Sequence, residues 1–360
     1  MQGGLSALPS YVGLDGMSPT GMLRNMRNPR KETLTFIAVT LAVSWTMAVL
    51  FITGGEKSVW LMRWMMCVPG IVGLACSWFF RREPPSAVGF SFPGWKWWFL
   101  GLALPLAYGA VIAPLAYAIR FATGDASFIT YQPELLKGPF GVTGVATVPV
   151  MILLFWALTV TWWLAAASVR WRWVEKLGAK LPERWRWLRY GLAALVWGPV
   201  VGFGVPSELG EEVGWRGTLV RWWMHRPALA AAITMPVWAA FHLPLIFSST
   251  QRGHVGQNVT FLVSIAVAAV VFAQLYMASR SIWPPALFHI SWNIINPLLF
   301  GSVYNGRPGL FGGQVWVFNG EGVFGLVLHG LVAVWLFRHW KRSARSTEST
   351  VLPESSATPA

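Results

Sequence analysis

Apolar stretches long enough to cross a bilayer recur along this sequence, and they fix its architecture before any motif is read. A span needs about 20 predominantly apolar residues. Candidates lie at 33–53, 59–80, 96–119, 143–168, 190–206, 207–225, 228–247, 259–278, 284–300 and 321–338. Only 12% of the residues are charged, against about 25% in soluble domains. With 24 tryptophans and 22 phenylalanines, the chain has more apolar bulk than a water-facing surface can hide. A soluble, disordered, collagenous or disulfide-scaffolded chain is excluded. The expected fold class is all-α, a polytopic helical membrane protein of about eight to ten transmembrane or half-penetrating helices.

The formal net charge is +14, which in a soluble chain would suggest nucleic acid. Here the basic residues sit between apolar stretches. Arg24, Arg27, Arg30 and Lys31 precede the first; Arg81 and Arg82 follow the second. Arg170, Arg172, Lys176, Lys180, Arg184, Arg186 and Arg189 form a third cluster, and Arg338, Lys341, Arg342 and Arg345 follow the last stretch. This is the positive-inside pattern. It implies the plasma membrane with both termini cytoplasmic, lipid as the partner of the basic clusters, and no nucleic acid. With ten crossings, the weakly charged loops at 54–58, 120–142, 248–258 and 301–320 fall outside.

Residues 1–31 read as a disordered basic arm with no cleavable signal peptide, 32–342 as a single membrane domain, and 343–360 as a disordered tail rich in Ser, Thr and Pro. Cys67 and Cys76 share one apolar stretch and read as buried free thiols. The stretches 190–206 and 207–225 meet at Gly202, Gly204 and Pro206, a broken-helix signature tolerated only where protein or a wet cavity satisfies the backbone. Ser207 is the expected N-cap of the second.

Chemistry concentrates in few residues. Of 14 acids in the chain, three (Glu208, Glu211 and Glu212) are packed into five residues between apolar stretches. One carboxylate in a membrane segment costs roughly 2.5–3.5 kcal/mol on insertion scales, so three together need a reason. On a helix Glu212 and Arg216 are i and i+4 and face each other. Glu211 is rotated by about 100° and is free for a proton. Glu208 reads as an N-terminal helix charge. Gly210, Gly214 and Gly217 form a small-residue face for close helix approach. His242 and His289 stand inside apolar stretches, and Asn293 is one turn after His289, so that the two can bond one common atom. His329, in the last stretch, reads as packing.

Glu-Glu-x-x-x-Arg at 211–216, aromatic-x-x-x-His at 238–242 and His-x-x-x-Asn at 289–293, in this order on separate apolar stretches, resemble the CPBP family, the bacterial relatives of the CAAX prenyl endopeptidase Rce1, also called Abi proteins. The motifs span about 90 residues of a core at about 190–300. The sequence departs from the family at Trp238, where phenylalanine is usual, and both are aromatic packing residues. The resemblance implies a glutamate-dependent intramembrane endopeptidase acting on a peptide or membrane-protein substrate. Glu211 would activate a water, His242 would help hold it, and His289 and Asn293 would stabilise the oxyanion, with Glu212 and Arg216 as the supporting pair. No cofactor is implied.

Three other readings stay open on the residues alone. Two His and two Glu could hold Zn²⁺, although no His-Glu-x-x-His occurs. Glu211 and the histidines could relay protons in a transporter or immunity-type protein, although no internal repeat is visible. A scaffold could keep the pocket without catalysis. The stretch boundaries also carry a tension: they set His289 on the order of 10 Å from the depth of Glu211 and His242. The motif then requires either that the helix of His289 start deeper or that the helix of Glu211 penetrate only halfway.

Overall fold

Each long apolar stretch that is described becomes helix. The computed structural model describes residues 29–54, 59–138, 141–154, 157, 205–247, 255–303 and 307–349. Its helices are α1 (Arg30–Gly54), α2 (Val59–Arg81), α3 (Trp95–Thr123), α4 (Val205–Gly214, continuing as a π-helical turn over Trp215–Val220), α5 (Pro227–His242), α6 (Val255–Ser279), α7 (Trp283–Phe300) and α8 (Val323–Ser349). An apolar helix also covers Gly144–Leu154, inside the expected stretch 143–168. The rest of that stretch, the cluster from Arg170 to Arg189 and the stretch 190–206 up to residue 204 lie outside the described residues, as do most of the N-terminal arm and the end of the tail. Six helices of the described residues are long and apolar enough to cross a membrane. The chain is a polytopic all-α membrane protein.

The outward faces are apolar. Leu34, Val49, Ile71, Phe99, Val263 and Leu331 are exposed along the long helices, a surface that suits lipid and not water. Lipid tails are as apolar as these side chains, so helices associate here by close packing rather than by hydrophobic burial. The glycines do that work. A Cβ on Gly70 would stand 2.6 Å from the carbonyl oxygen of Gly210, and one on Gly210 would stand 2.7 Å from Cα of Cys67, so α2 and α4 meet backbone to backbone. Gly214 abuts Pro69, and Gly217 abuts Val88. Gly101 brings α3 to Pro284 of α7 in the same way. α4 thus lies between α2 and α7, α7 packs on α3, and α6 packs on α5 and α8.

Two short strands, Ile129–Tyr131 and Phe311–Gly313, pair antiparallel with Ile129 opposite Gly313. They join the loops after α3 and α7, which the charge pattern had already placed on one side. The chain then turns inward through an asparagine network. Asn296 Nδ2 donates to Asn319 Oδ1 (2.9 Å), Asn319 Nδ2 donates to the carbonyl of Gly301 (3.1 Å), and the backbone N–H of Gly320 donates to Asn296 Oδ1 (2.9 Å). These bonds satisfy backbone groups that lipid cannot, and they press the 319–321 turn against α7.

Two helix ends differ from those drawn on the sequence. Ser207 lies within α4 instead of capping it, and its hydroxyl donates to Glu208 Oε2 (2.6 Å). The last helix runs to Ser349, past the apolar stretch 321–338; no proline stands before Pro353 to stop it.

The α2–α4 contact makes a prediction. Gly210→Ala overpacks an interface of two backbones, which typically costs ~1–3 kcal/mol, whereas a Cβ at Gly256 meets nothing within 4 Å. Thermal unfolding in detergent should show a clear drop in midpoint for Gly210→Ala and none for Gly256→Ala. Equal midpoints would remove the close approach as a determinant of the fold.

Candidate active site

The site begins with the two glutamates of α4. Both are fully buried, as is Arg216. Helical spacing sets Arg216 Nη1 2.9 Å from Glu212 Oε1. The same oxygen accepts from His289 Nδ1 at 2.9 Å, so α4 and α7 are tied through one carboxylate atom. The π turn that follows, Trp215–Val220, is entirely buried; such turns recur at functional sites. The guanidinium of Arg216 lies over the Trp238 ring, 4.2 Å from its centroid, and over Phe272 at 4.6 Å. Cation–π contacts of this kind contribute ~2 kcal/mol when desolvated.

Glu211 points elsewhere, as the 100° rotation requires. Its Oε2 accepts from Trp238 Nε1 (2.6 Å) and from Trp215 Nε1 (3.3 Å). Its Oε1 is buried with no hydrogen-bond donor. Trp238, on α5, therefore does more than pack. Its indole N–H holds Glu211, its carbonyl accepts from His242 Nδ1 (2.9 Å), and its ring stands 5.6 Å from that of His289, edge to face. A phenylalanine would supply the ring but not the N–H. The reading of position 238 as an interchangeable aromatic is thus corrected: the indole bonds a carboxylate.

The ring states of the histidines follow from their partners. A carbonyl only accepts, so His242 Nδ1 carries a proton and Nε2 is the acceptor of the neutral ring. His289 Nδ1 faces a carboxylate and also carries a proton. Asn293 Nδ2 donates to Glu208 Oε1 (3.0 Å), which uses one of its two amide hydrogens. His289 and Asn293 therefore bond two different glutamates of α4 through one donor each, and each keeps a further donor position. Glu208 sits in the first turn of α4, as its reading as an N-terminal charge requires, and it also orients Asn293.

A cavity of about 30 Å³ adjoins these groups, with Trp238, His242, His289 and Asn293 on its wall. That is room for a water molecule or two. Glu211 is not on this wall; it lies behind the Trp238 indole that it binds. Two residues not assigned from the sequence also line the cavity, Glu321 and His329. His329 Nδ1 bonds the Tyr108 hydroxyl at 3.0 Å. Glu321 stands at the first position of an apolar stretch, which in sequence reads as a membrane edge; only the Asn296–Asn319 turn brings it inside. Among the described residues no group of three or more His, Cys, Asp or Glu is arranged to hold a metal ion, and Cys67 and Cys76 are not disulfide-bonded.

With the three motifs converging around one indole, the comparison with known families becomes specific. A family model described as type II CAAX prenyl endopeptidase Rce1-like matches residues 89–295, more than half of the chain. The chain belongs to the Rce1-like family. The match starts at Gly89, well before the first motif, and so takes in α3 and its contact with α7. Rce1-like proteins form a protease family, and six candidate spans agree with a multi-pass membrane member of it. Among curated proteins none matches the chain.

The central cluster yields a stability prediction. Removing Arg216 leaves Glu212 buried beside His289 alone, and breaking a buried pair typically costs ~3–5 kcal/mol. Arg216→Ala and Glu212→Gln should each lower the thermal midpoint of the purified protein. Wild-type midpoints in both would contradict the pairing.

Proposed function

We propose that the chain is an intramembrane glutamate-dependent endopeptidase, hydrolysing a peptide bond of a peptide or membrane-protein substrate at the cavity beside Trp238. The observation that carries this reading is the convergence of all three motifs on Trp238: Glu211 on its N–H, His242 on its carbonyl, and His289 against its ring. Family membership supplies the reaction class.

In this reading Glu211 is the proton acceptor, and the oxygen without a donor, Oε1, receives the proton. The Trp238 indole stands aside as substrate enters, so that this oxygen meets the water. His242 holds that water through Nε2. The water oxygen adds to the scissile carbonyl carbon. The oxyanion is met by the second amide hydrogen of Asn293 and by Nε2–H of His289 in its protonated form, which the Glu212 carboxylate supports. Each such donor is typically worth about 3–4 kcal/mol in the transition state. Collapse breaks the C–N bond, and the proton on Glu211 passes to the leaving amine. Glu212 and Arg216 hold the geometry. On the same footing we place the protein in the plasma membrane with both termini cytoplasmic, on the strength of its basic clusters.

Two measurements test the proposal. Mapping new peptide termini in cells should show cleavage with the wild-type chain and none with Glu211→Gln, while detergent-extracted Glu211→Gln keeps its thermal midpoint; unimpaired cleavage removes the assigned base. The mechanism also needs no bound metal. Cleavage by the purified protein should persist after exhaustive chelation, and loss of activity restored by added Zn²⁺ would replace this mechanism with a metal-dependent one.

A further inference from the structure

One wall of the cavity comes from none of the three motifs. Its carboxylate is Glu321, half-buried, whose bond is a long one from Trp292 Nε1 at 3.3 Å. Among the described residues no lysine or arginine lies within ion-pair distance of it. The same cavity is also lined by Ser264 of α6, 1% exposed, with a hydroxyl that has no hydrogen-bond partner. The remaining surface is largely aromatic: Trp238, Phe272, Phe288 and Trp292.

Each feature is costly alone. A carboxylate at membrane depth costs roughly 2.5–3.5 kcal/mol on insertion scales and as a rule has a partner. A buried hydroxyl without a partner costs ~1–3 kcal/mol. The buried cation of the site, Arg216, is paired with Glu212, which His289 also bonds, so it is not Glu321's partner. What would satisfy the carboxylate, the hydroxyl and the aromatic faces together is a group that is cationic, donates several hydrogen bonds and lies well against π faces. A primary ammonium has these properties.

We propose that Glu321, Ser264 and the surrounding rings form a subsite for a primary ammonium group of the substrate, next to the groups that carry out hydrolysis. The ammonium donates to the Glu321 carboxylate and to Ser264 Oγ and rests against the indole of Trp292. The subsite rests on the peptidase reading for its purpose: it selects substrates with an ammonium close to the scissile bond, from a lysine side chain or a free N-terminus. Glu321 and the helix that follows it lie beyond the residues matched by the family model, so this selectivity belongs to the chain's own C-terminal part.

The test uses the purified full-length protein and two small probes of nearly equal shape, methylammonium and methanol. Binding is followed by intrinsic tryptophan fluorescence, since Trp238 and Trp292 line the cavity. The ammonium should bind about tenfold more tightly than the alcohol. That preference should vanish in Glu321→Gln and return in part in Glu321→Asp. Equal affinity, or no saturable binding of either probe to the wild type, overturns the subsite whatever the variants do. Cleavage of N-acetylated peptides with one lysine, against peptides with norleucine there, separates the side chain from the terminus. Lysine-free peptides with free or acetylated N-termini complete the comparison. The preferred pair should show about a tenfold advantage in kcat/KM, lost in Glu321→Gln. If ammonium binding holds while Glu211→Gln still cleaves, only the peptidase mechanism fails. If Glu211-dependent cleavage holds without ammonium preference, only the subsite fails.

Discussion

Removing a guanidinium from water costs several kcal/mol unless its charge is met inside the protein. Arg216 is fully buried in a membrane domain, and the way it is met organises the centre of the molecule. Glu212 sits one turn back on the same helix, so the charge pair forms locally as soon as α4 does. The two rings that cover the guanidinium come from α5 and α6. His289, from α7, takes the same carboxylate oxygen. One ion pair thus draws four helices to a common point. In lipid, where apolar surface gains little by burial against another helix, polar contacts and close packing must do this work.

Trp238 translates that scaffold into a site. Its ring lies under Arg216 and beside His289, its N–H bonds Glu211, and its carbonyl sets the tautomer of His242. The two glutamates, neighbours in sequence, are thereby separated in role. Glu212 is engaged by Arg216 and His289. Glu211 meets only indole N–H donors. Each keeps one oxygen without a donor, so the division between them lies in their partners: an ion pair for one, neutral indoles for the other.

Much of this was legible in the sequence because charged and polar residues are so scarce in it. Glu211, Glu212, Arg216, His242, His289 and Asn293 stand out against apolar neighbours, and helical spacing alone pairs Glu212 with Arg216. What was not legible depends on tertiary geometry. A tryptophan in an apolar stretch reads as bulk until a carboxylate is found opposite its nitrogen. Glu208 reads as a helix-end charge until Asn293 arrives from a helix 85 positions away in sequence. The small-residue face was readable as such, but its partner was not: Gly210 meets Cys67 and Gly70 of α2, and nothing local in either stretch names the other.

Glu321 shows the limit most clearly. Hydropathy places an acid at the first position of a stretch in the headgroup region, where it costs little. The structure instead pulls it inward through side-chain amides of Asn296 and Asn319 that bond each other and the adjacent backbone. These amides meet the N–H groups of Gly320 and Glu321 and the carbonyls of Phe300 and Gly301, which is how irregular chain is accommodated within a membrane protein. The turn thereby holds one carboxylate on the cavity wall, where the ammonium proposed above would meet it.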